Sequence, residues 1–249
     1  MVRRRKRKVG LSLFVAAAVL SFTVYVVLQA RGTRERAPAP LPPDCKLGPT
    51  VAGIDVSYHQ GDIVWPRVQR AGVRFAFVRV SDGTYVADPQ FIANWRGAKR
   101  AGVLRGAYQF FRPELSAIDQ ADLMIATLRR HGRGELPPVI DIEETGGLPL
   151  ATVVANARVW IERVRSQLGV EPIVYTNPGM WRWGGGSDLG KQALWLAHYT
   201  AQCPSVPPPW SRWTFWQYTD NGRVDGIEGP VDLDIFDGTY DEFRRRFGL

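Results

Sequence analysis

The chain has 249 residues, of which 45% are hydrophobic and 11% aromatic, enough to bury the core of one large domain. Its formal net charge is +8 at pH 7, but nine basic residues and only one acidic residue fall within residues 1–36. Residues 37–249 therefore hold 23 basic and 23 acidic residues. A nucleic-acid-binding protein would carry its basic stripe on the folded domain, so this balance argues against a nucleic-acid partner.

The N-terminal segment predicts membrane insertion. Residues 1–8 hold six consecutive basic residues, and residues 9–30 are uncharged. This run is long enough to span a hydrocarbon core of ~30 Å, whereas the apolar part of a signal peptide has about 7 to 15 residues and ends in a small-x-small site. A cleavage site ending at Ala30 would need a small residue at position 28, where this chain has Leu28. We therefore expect a basic cytoplasmic tail (1–8) and an uncleaved signal anchor (9–30) in the inner membrane, with the rest exported; secretion after cleavage is the alternative.

Residues 31–50 form a Pro-rich linker, and the domain follows over residues 51–249. Eight β-branched or aromatic runs predict strands: VAGIDVS, RFAFVRVS, VLRGAYQFF, PVIDIE, EPIVYT, ALWLAHY, TFWQYT and VDLDIF. Helical patterns separate the first five, and the last three intervals are short and rich in Gly and Pro. This alternation predicts an α/β fold, a single irregular (β/α) barrel of the TIM-barrel type. A doubly wound open sheet is the alternative.

The two cysteines, Cys45 and Cys203, are consistent with export. A disulfide between them would fix the start of the domain to a Pro-rich loop late in the chain. Two unpaired thiols are the alternative.

Acidic residues occur within predicted strands. Asp55 lies late in the first strand, Asp141 and Glu143 end the fourth, and Asp232 and Asp234 lie in the last. Because the carboxyl ends of parallel barrel strands share one face, we expect these acids to converge. Asp141 and Glu143, two residues apart, should face the same side, and repulsion and burial should raise one pKa. Such a pair suits glycosidic bond cleavage; ion pairs with Arg79 or Arg105 are the structural alternative.

Other chemistries have less support. The three histidines, His59, His131 and His198, show no metal-binding spacing, so we expect no metal and no cofactor. A second feature is aromatic: six of nine tryptophans fall between residues 181 and 216. Flat aromatic faces bind sugar rings, so this cluster is a candidate sugar groove, although each tryptophan taken singly is better explained as core.

These motifs resemble those of family 25 glycoside hydrolases. The segments GIDVSYHQG, VIDIEE, VYTNPGMW, LWLAHYT, FWQYT and GIEGPVDLDIF occur in the family's order over residues 51–240. The resemblance implies a lysozyme, an N-acetylmuramidase that cleaves the β-1,4 bond between N-acetylmuramic acid and N-acetylglucosamine in peptidoglycan. It implies that Glu143 is the general acid/base, that Asp141 is its partner, and that Asp55 and Asp232 line the cleft.

The resemblance also implies sugar contacts, for which the candidates are Tyr108, Tyr175, Trp195, Tyr199, Gln217 and Tyr218. The chain departs from the family at Gln109, where histidine is common, and this change could alter substrate fit or the pH profile. A chitinase-like hydrolase of acetamido sugars and a catalytically idle wall-binding module are the alternative functions. The sequence does not distinguish the cell's own wall from a foreign one; the predicted anchor favours its own.

Overall fold

The structure, a computed structural model, describes Cys45, residues 47–181 and residues 189–249. The predicted tail and signal anchor, nearly all of the linker, and Trp183 lie outside these residues. Among the described residues, no helix is both long and apolar enough to cross a membrane.

The described strands form a closed barrel of eight strands, as the alternation of patterns predicted. Their bounds are β1 Thr50–Val56, β2 Phe75–Asp82, β4 Leu104–Phe110, β5 Val139–Ile142, β6 Ile173–Thr176, β7 Leu194–Ala197, β8 Phe215–Gly222 and β9 Val231–Asp237. A two-residue strand, β3 (Val86–Ala87), pairs with the end of β2 outside the ring. Pairing of β1 with both β2 and β9 closes the ring and excludes the open sheet.

The last strand differs from the expected arrangement of parallel strands. Seven of the eight barrel strands, β1, β2 and β4–β8, are parallel to one another. The eighth, β9, runs antiparallel to its two neighbours, β8 and β1. Only residues 223–230 connect β8 to β9, and a parallel crossover needs a dozen residues or more. The start of β9, rather than its end, therefore lies at the carboxyl ends of the other strands.

The described residues also form five α-helices: α1 Trp65–Arg70, α2 Phe91–Ala101, α3 Ala117–His131, α4 Leu150–Leu168 and α5 Tyr240–Phe247. A 3₁₀ turn, Tyr58–Gln60, follows β1. Helices α1 to α4 connect successive parallel strands and bury one apolar face on the outside of the barrel, in a cluster that includes Trp95 and Trp160. The C-terminal helix α5, which the strand and helix patterns above did not include, closes one end of the barrel.

The barrel interior is apolar at one end and polar at the other. Phe75, Phe215 and Phe236 pack with Phe243 of α5 at the end where the parallel strands begin, hereafter the base. Because side chains alternate along a strand, every second residue faces inward. On β9 this series runs from Phe236 at the base to Asp232 at the opposite end, hereafter the mouth.

Cys45 and Cys203 form a disulfide with a Cα–Cα distance of 4.6 Å. The bond joins the residues that precede β1 to the connection between β7 and β8. It closes a loop with a sequence separation of 158 residues, so six of the eight barrel strands lie between the two linked positions.

Candidate active site

The strands bring the four predicted catalytic acids to one cavity at the mouth of the barrel. Asp55 is near the end of β1 and pairs in register with Asp232 at the start of β9, while Asp141 is in β5 and Glu143 directly follows that strand. All four line a cavity of about 190 Å³. Because β9 is antiparallel, Asp232 reaches the mouth from the start of its strand, whereas a parallel strand would have brought its end there.

Gln217 is the centre of the hydrogen-bond network in this cavity. Its Nε2 donates to Asp55 Oδ2 at 2.6 Å, and its Oε1 accepts from the hydroxyls of Tyr175 at 2.8 Å and Tyr199 at 2.7 Å. All the hydrogen-bonding capacity of the amide oxygen is used. Gln217 therefore holds two tyrosines and one carboxyl from three other strand ends.

Asp141 and Glu143 form a carboxyl pair with no ion pair to an arginine among the described residues. Arg79 pairs with Asp88, and Arg105 pairs with Glu135, so the structural alternative does not hold in this form. Burial, then the charge of Glu143, raises the pKa of Asp141 well above its usual range, partly offset by Arg79. Burial also raises the pKa of Glu143, and the nearby hydroxyl of Tyr175 opposes that shift.

The Asp141 side chain is 4% exposed, and no hydrogen-bond donor to its Oδ1 occurs among the described residues. An oxygen in this state is costly unless a donor from a bound molecule satisfies it. Glu144, the next acid in sequence, faces away and pairs with Arg112. The strand end thus supplies two acids to the cavity and sends the third to the outside.

The other side of the cavity is also acidic. Burial, followed by the charges of Asp232 and Asp234, raises the pKa of Asp55 well above its ordinary value. Burial, followed by Asp220, raises the pKa of Asp232 to about 7. Asp234 lies deeper, at 1% exposure, and accepts a hydrogen bond from Trp195 Nε1 at 2.8 Å. Such concentrated carboxyls keep protons near neutral pH, and this is the condition for general-acid catalysis.

Aromatic side chains complete the lining, although most of the tryptophan cluster does not take part. Tyr108, Tyr175, Trp195 and Tyr199 line the cavity, and Trp195 forms part of its floor, stacked on Phe77 with ring centroids 4.3 Å apart. The tryptophans at positions 181, 210, 213 and 216 instead pack in the cluster outside the barrel. The candidate sugar groove is therefore built mainly from tyrosines.

Two sequence candidates face away from the cavity because they neighbour inward-facing residues on a strand. Tyr218 follows Gln217 and packs against Trp216 outside the barrel, with centroids 6.0 Å apart. Gln109 follows Tyr108 and bridges the barrel to α4: it donates to Ser81 Oγ at 2.9 Å and accepts from Trp160 Nε1 at 2.7 Å. The departure at Gln109 thus falls on a buried structural contact, and not on the cavity lining.

Two residues of the lining were not among the sequence candidates, namely Arg79 and Phe110. Arg79 Nε donates to Asp88 Oδ2 at 3.1 Å, and its guanidinium lies 4.8 Å from the centroid of the Tyr58 ring. The sequence could have indicated this position, because Arg79 lies two residues after the inward-facing Phe77 and residues two apart on a strand face the same side. Arg79 gives this acidic cavity a fixed cation, held by a carboxylate outside the lining.

No group of three or more His, Cys, Asp or Glu side chains in the described part of the chain is arranged to hold a metal ion. The chemistry that the cavity offers is that of carboxyls which retain protons beside carboxyls that can ionise. This combination can protonate a leaving oxygen and stabilise positive charge at the adjacent carbon.

The comparisons with known proteins agree with this geometry. The model of the family described as "Glycosyl hydrolases family 25" matches residues 54–227. Lysozyme M1 of Streptomyces globisporus is 36% identical over 200-odd residues, covering 80% of this chain and 73% of that protein. An N,O-diacetylmuramidase of Chalaropsis sp. is 31% identical, covering 74% of this chain and 96% of that protein.

A solved structure shows the same fold. The crystal structure of the bacterial lysozyme from Streptomyces coelicolor superposes with a TM-score of 0.71 at 34% identity, over 77% of this chain and 94% of that one. The family match covers more than half of the chain and includes the strands that carry Asp55, Asp141 and Gln217. The chain belongs to family 25 of the glycosyl hydrolases.

Proposed function

We propose that this glycoside hydrolase acts as a muramidase and that Glu143 and Asp141 carry the reaction. The bond cleaved is the β-1,4 bond between N-acetylmuramic acid and N-acetylglucosamine in peptidoglycan. The observation that supports these roles most directly is the pair itself: two carboxyls on one side of a strand end, both with raised pKa values, in a cavity lined by tyrosines.

Glu143 is the general acid/base. It is the more exposed of the two carboxyls, so a glycosidic oxygen can reach it, and burial favours its protonated form. It donates its proton to the leaving oxygen as the C1–O bond breaks, and its carboxylate then takes a proton from the water that attacks C1.

Asp141 is the positioning and stabilising partner. Asp141 lines the cavity, and its buried Oδ1 has no donor among the described residues. The N–H of a substrate acetamido group would supply the missing hydrogen bond and hold the sugar for attack. Arg79 opposes the effect of burial on the pKa of Asp141 and so favours its ionised form beside a cationic centre.

The test uses the fragment 37–249 and purified peptidoglycan, with new reducing ends identified by mass spectrometry. We expect N-acetylmuramic acid at these ends and a loss of at least about 10³-fold in kcat/KM for Glu143→Gln, as is usual when a general acid is removed. Glu144→Gln, one residue away but outside the cavity, is the matched control and should stay active. Glucosamine reducing ends would assign another bond, and an active Glu143→Gln would refute the mechanism.

A proposal for the location of the enzyme rests on the N-terminal sequence alone. We infer that residues 9–30 remain as a membrane anchor and that the barrel works on the outer side of the inner membrane, on the cell's own wall. The uncharged run, the six preceding basic residues and the poor cleavage site support this inference. Mature protein that begins after residue 30 and washes free of membranes would exclude the anchor.

A further inference from the structure

The charged residues of the domain are divided between the two ends of the barrel. The mouth carries the acids described above. Helices α1 to α4 each lead into the next parallel strand, so their last turns surround the base. Each of these helices ends with an exposed basic residue: Arg70, Arg100, Arg130 and Arg165. Residues 37–249 thus have zero net charge although the mouth of the barrel is acidic and its base is basic.

The helix α5 adds to the positive charge because it covers the base. Its last turn holds Arg244, Arg245 and Arg246, all exposed, and the exposed Lys191 and Arg212 precede β7 and β8 at the same end. Partial burial, followed by repulsion from Arg212, lowers the pKa of Arg246. We call the surface formed by Arg100, Arg130, Arg133, Lys191, Arg212 and Arg244–Arg246 the basic base.

Acids at this end of the described domain are fewer, namely Glu135, Glu171, Asp237, Asp241 and Glu242, and three of these five have a side-chain partner. Glu135 pairs with Arg105 at 2.8 Å, and Glu242 caps the start of α5 through Thr239. Basic residues in a last helical turn also complement the helix dipole, which accounts for part of the pattern. It does not account for Lys191 or Arg212, because these residues lie outside the helices, whereas Arg133 donates to the carbonyl of Leu168 at the end of α4. The excess of cations is thus a property of this surface.

A cavity of about 590 Å³ opens within the basic base. Three cations, Arg133, Lys191 and Arg246, and two acids, Glu135 and Glu171, line it together with apolar side chains that include Leu136 and Phe247. Both acids have a partner, since Glu135 pairs with Arg105 and Glu171 accepts a hydrogen bond from Gln192. The remaining cations beside an apolar lining suit a ligand that has an anionic group and a short apolar part. A phospholipid headgroup with its glycerol has this composition.

We propose that the basic base docks on a membrane surface by binding anionic phospholipid headgroups. The position of the surface supports a membrane over a wall polymer: it is the end of the barrel opposite the substrate cavity, so docking there leaves the mouth facing away from the lipid. Each basic residue near an anionic bilayer contributes about fivefold to binding. The proposed anchor would keep the surface within reach of the membrane, but the docking itself does not depend on it.

The experiment uses the fragment 37–249, which contains the whole barrel and lacks the anchor. The S. coelicolor lysozyme, 94% of which is covered by the match, shows that a barrel of this family forms without further domains. Cosedimentation is measured with vesicles of phosphatidylcholine alone and with about 30% phosphatidylglycerol, at about 0.05 and 0.5 M salt. The base variant combines Lys191→Gln, Arg212→Gln and Arg245→Gln. The control variant combines Arg67→Gln, Arg96→Gln and Arg223→Gln, which remove the same charge elsewhere.

We expect binding only to the anionic vesicles, weakened by salt, about 100-fold weaker in the base variant and within about threefold of the parent in the control. Both variants should still cleave purified peptidoglycan, which verifies their folding and keeps this test separate from that of the catalytic residues. Equal binding to neutral vesicles, or equal losses in the two variants, would overturn the proposal. Retention on wall polymers without vesicle binding would also overturn it, since the partner would then be the wall.

Discussion

Gln217→Leu is the substitution that tests whether one amide organises the mouth of the barrel. Leucine keeps the approximate volume of glutamine but removes the donor to Asp55 and the acceptor for Tyr175 and Tyr199. The cost of losing the hydrogen bond should differ among the three partners. Tyr199 is 51% exposed and can bond to water instead, whereas Tyr175 is 5% exposed and Asp55 is 5% exposed.

The expected loss of stability follows from the two buried partners. A buried polar group left without its hydrogen bond costs about 1–3 kcal/mol. The Gln217 bond lowers the pKa of Asp55, so its loss raises that pKa further and keeps the carboxyl neutral, which limits the cost. We expect the free energy of unfolding to fall by about 2–4 kcal/mol at neutral pH. Release of the Tyr175 hydroxyl, which lies beside Glu143, should also lower kcat/KM by about 100-fold, because Glu143 loses a neighbour that positions it.

The assay is urea unfolding of the fragment 37–249, followed by tryptophan fluorescence, together with rates of peptidoglycan cleavage. Tyr199→Phe is the matched control because it removes one donor to the same oxygen from the exposed side, and it should cost less than about 1 kcal/mol. A loss below about 1 kcal/mol for Gln217→Leu, with an unchanged cleavage rate, would mean that the amide does not hold this network together.

Substitutions at two further positions test the electrostatics of the mouth and the departure at Gln109. Asp232 has a pKa of about 7 in the folded state against an ordinary value of 3.8, so the folded state binds more protons and its stability falls as the pH rises from about 4 to 7. Asp232→Asn should therefore raise the free energy of unfolding by roughly 2–4 kcal/mol at pH 8 and hardly at pH 4. Equal gains at the two pH values, measured by urea unfolding, would contradict this expectation. Gln109→His, which keeps a donor and an acceptor, should leave kcat/KM within about twofold. Gln109→Leu should instead lower the free energy of unfolding by about 1–3 kcal/mol, because Trp160 Nε1 loses its acceptor while Ser81 Oγ keeps its bond to the Gly83 carbonyl. A shifted pH–rate profile in Gln109→His would show that this position does act on the substrate.

Much of the fold could be predicted because its elements are local patterns. The eight runs of β-branched and aromatic residues all became strands, and the four helical patterns became helices. The direction of β9 was missed because hydrophobic alternation carries no direction. The signal lay in the short interval between β8 and β9, which is too short for a parallel crossover.

The site was harder to predict than the fold because it depends on which way each strand residue faces. Asp55, Asp141, Glu143 and Asp232 reached one cavity since strand ends meet at the mouth. Tyr218 did not, because adjacent residues of a strand face opposite sides and Gln217 takes the inward place. The same rule, applied to Phe77, would have found Arg79. The tryptophans clustered in sequence are divided between two faces of the sheet, which composition alone does not show.

The disulfide has a mechanical consequence for a tethered enzyme. A pull on the residues before Cys45 would otherwise act on the first residues of β1, and the hydrogen bonds between β1 and β9 would open one after another from Thr50. The bond to Cys203 diverts part of that force into the connection before β8, on another side of the ring. If residues 9–30 form the proposed anchor, tension between membrane and wall is shared by two attachment points, and the strand that carries Asp55 keeps its pairing with β9.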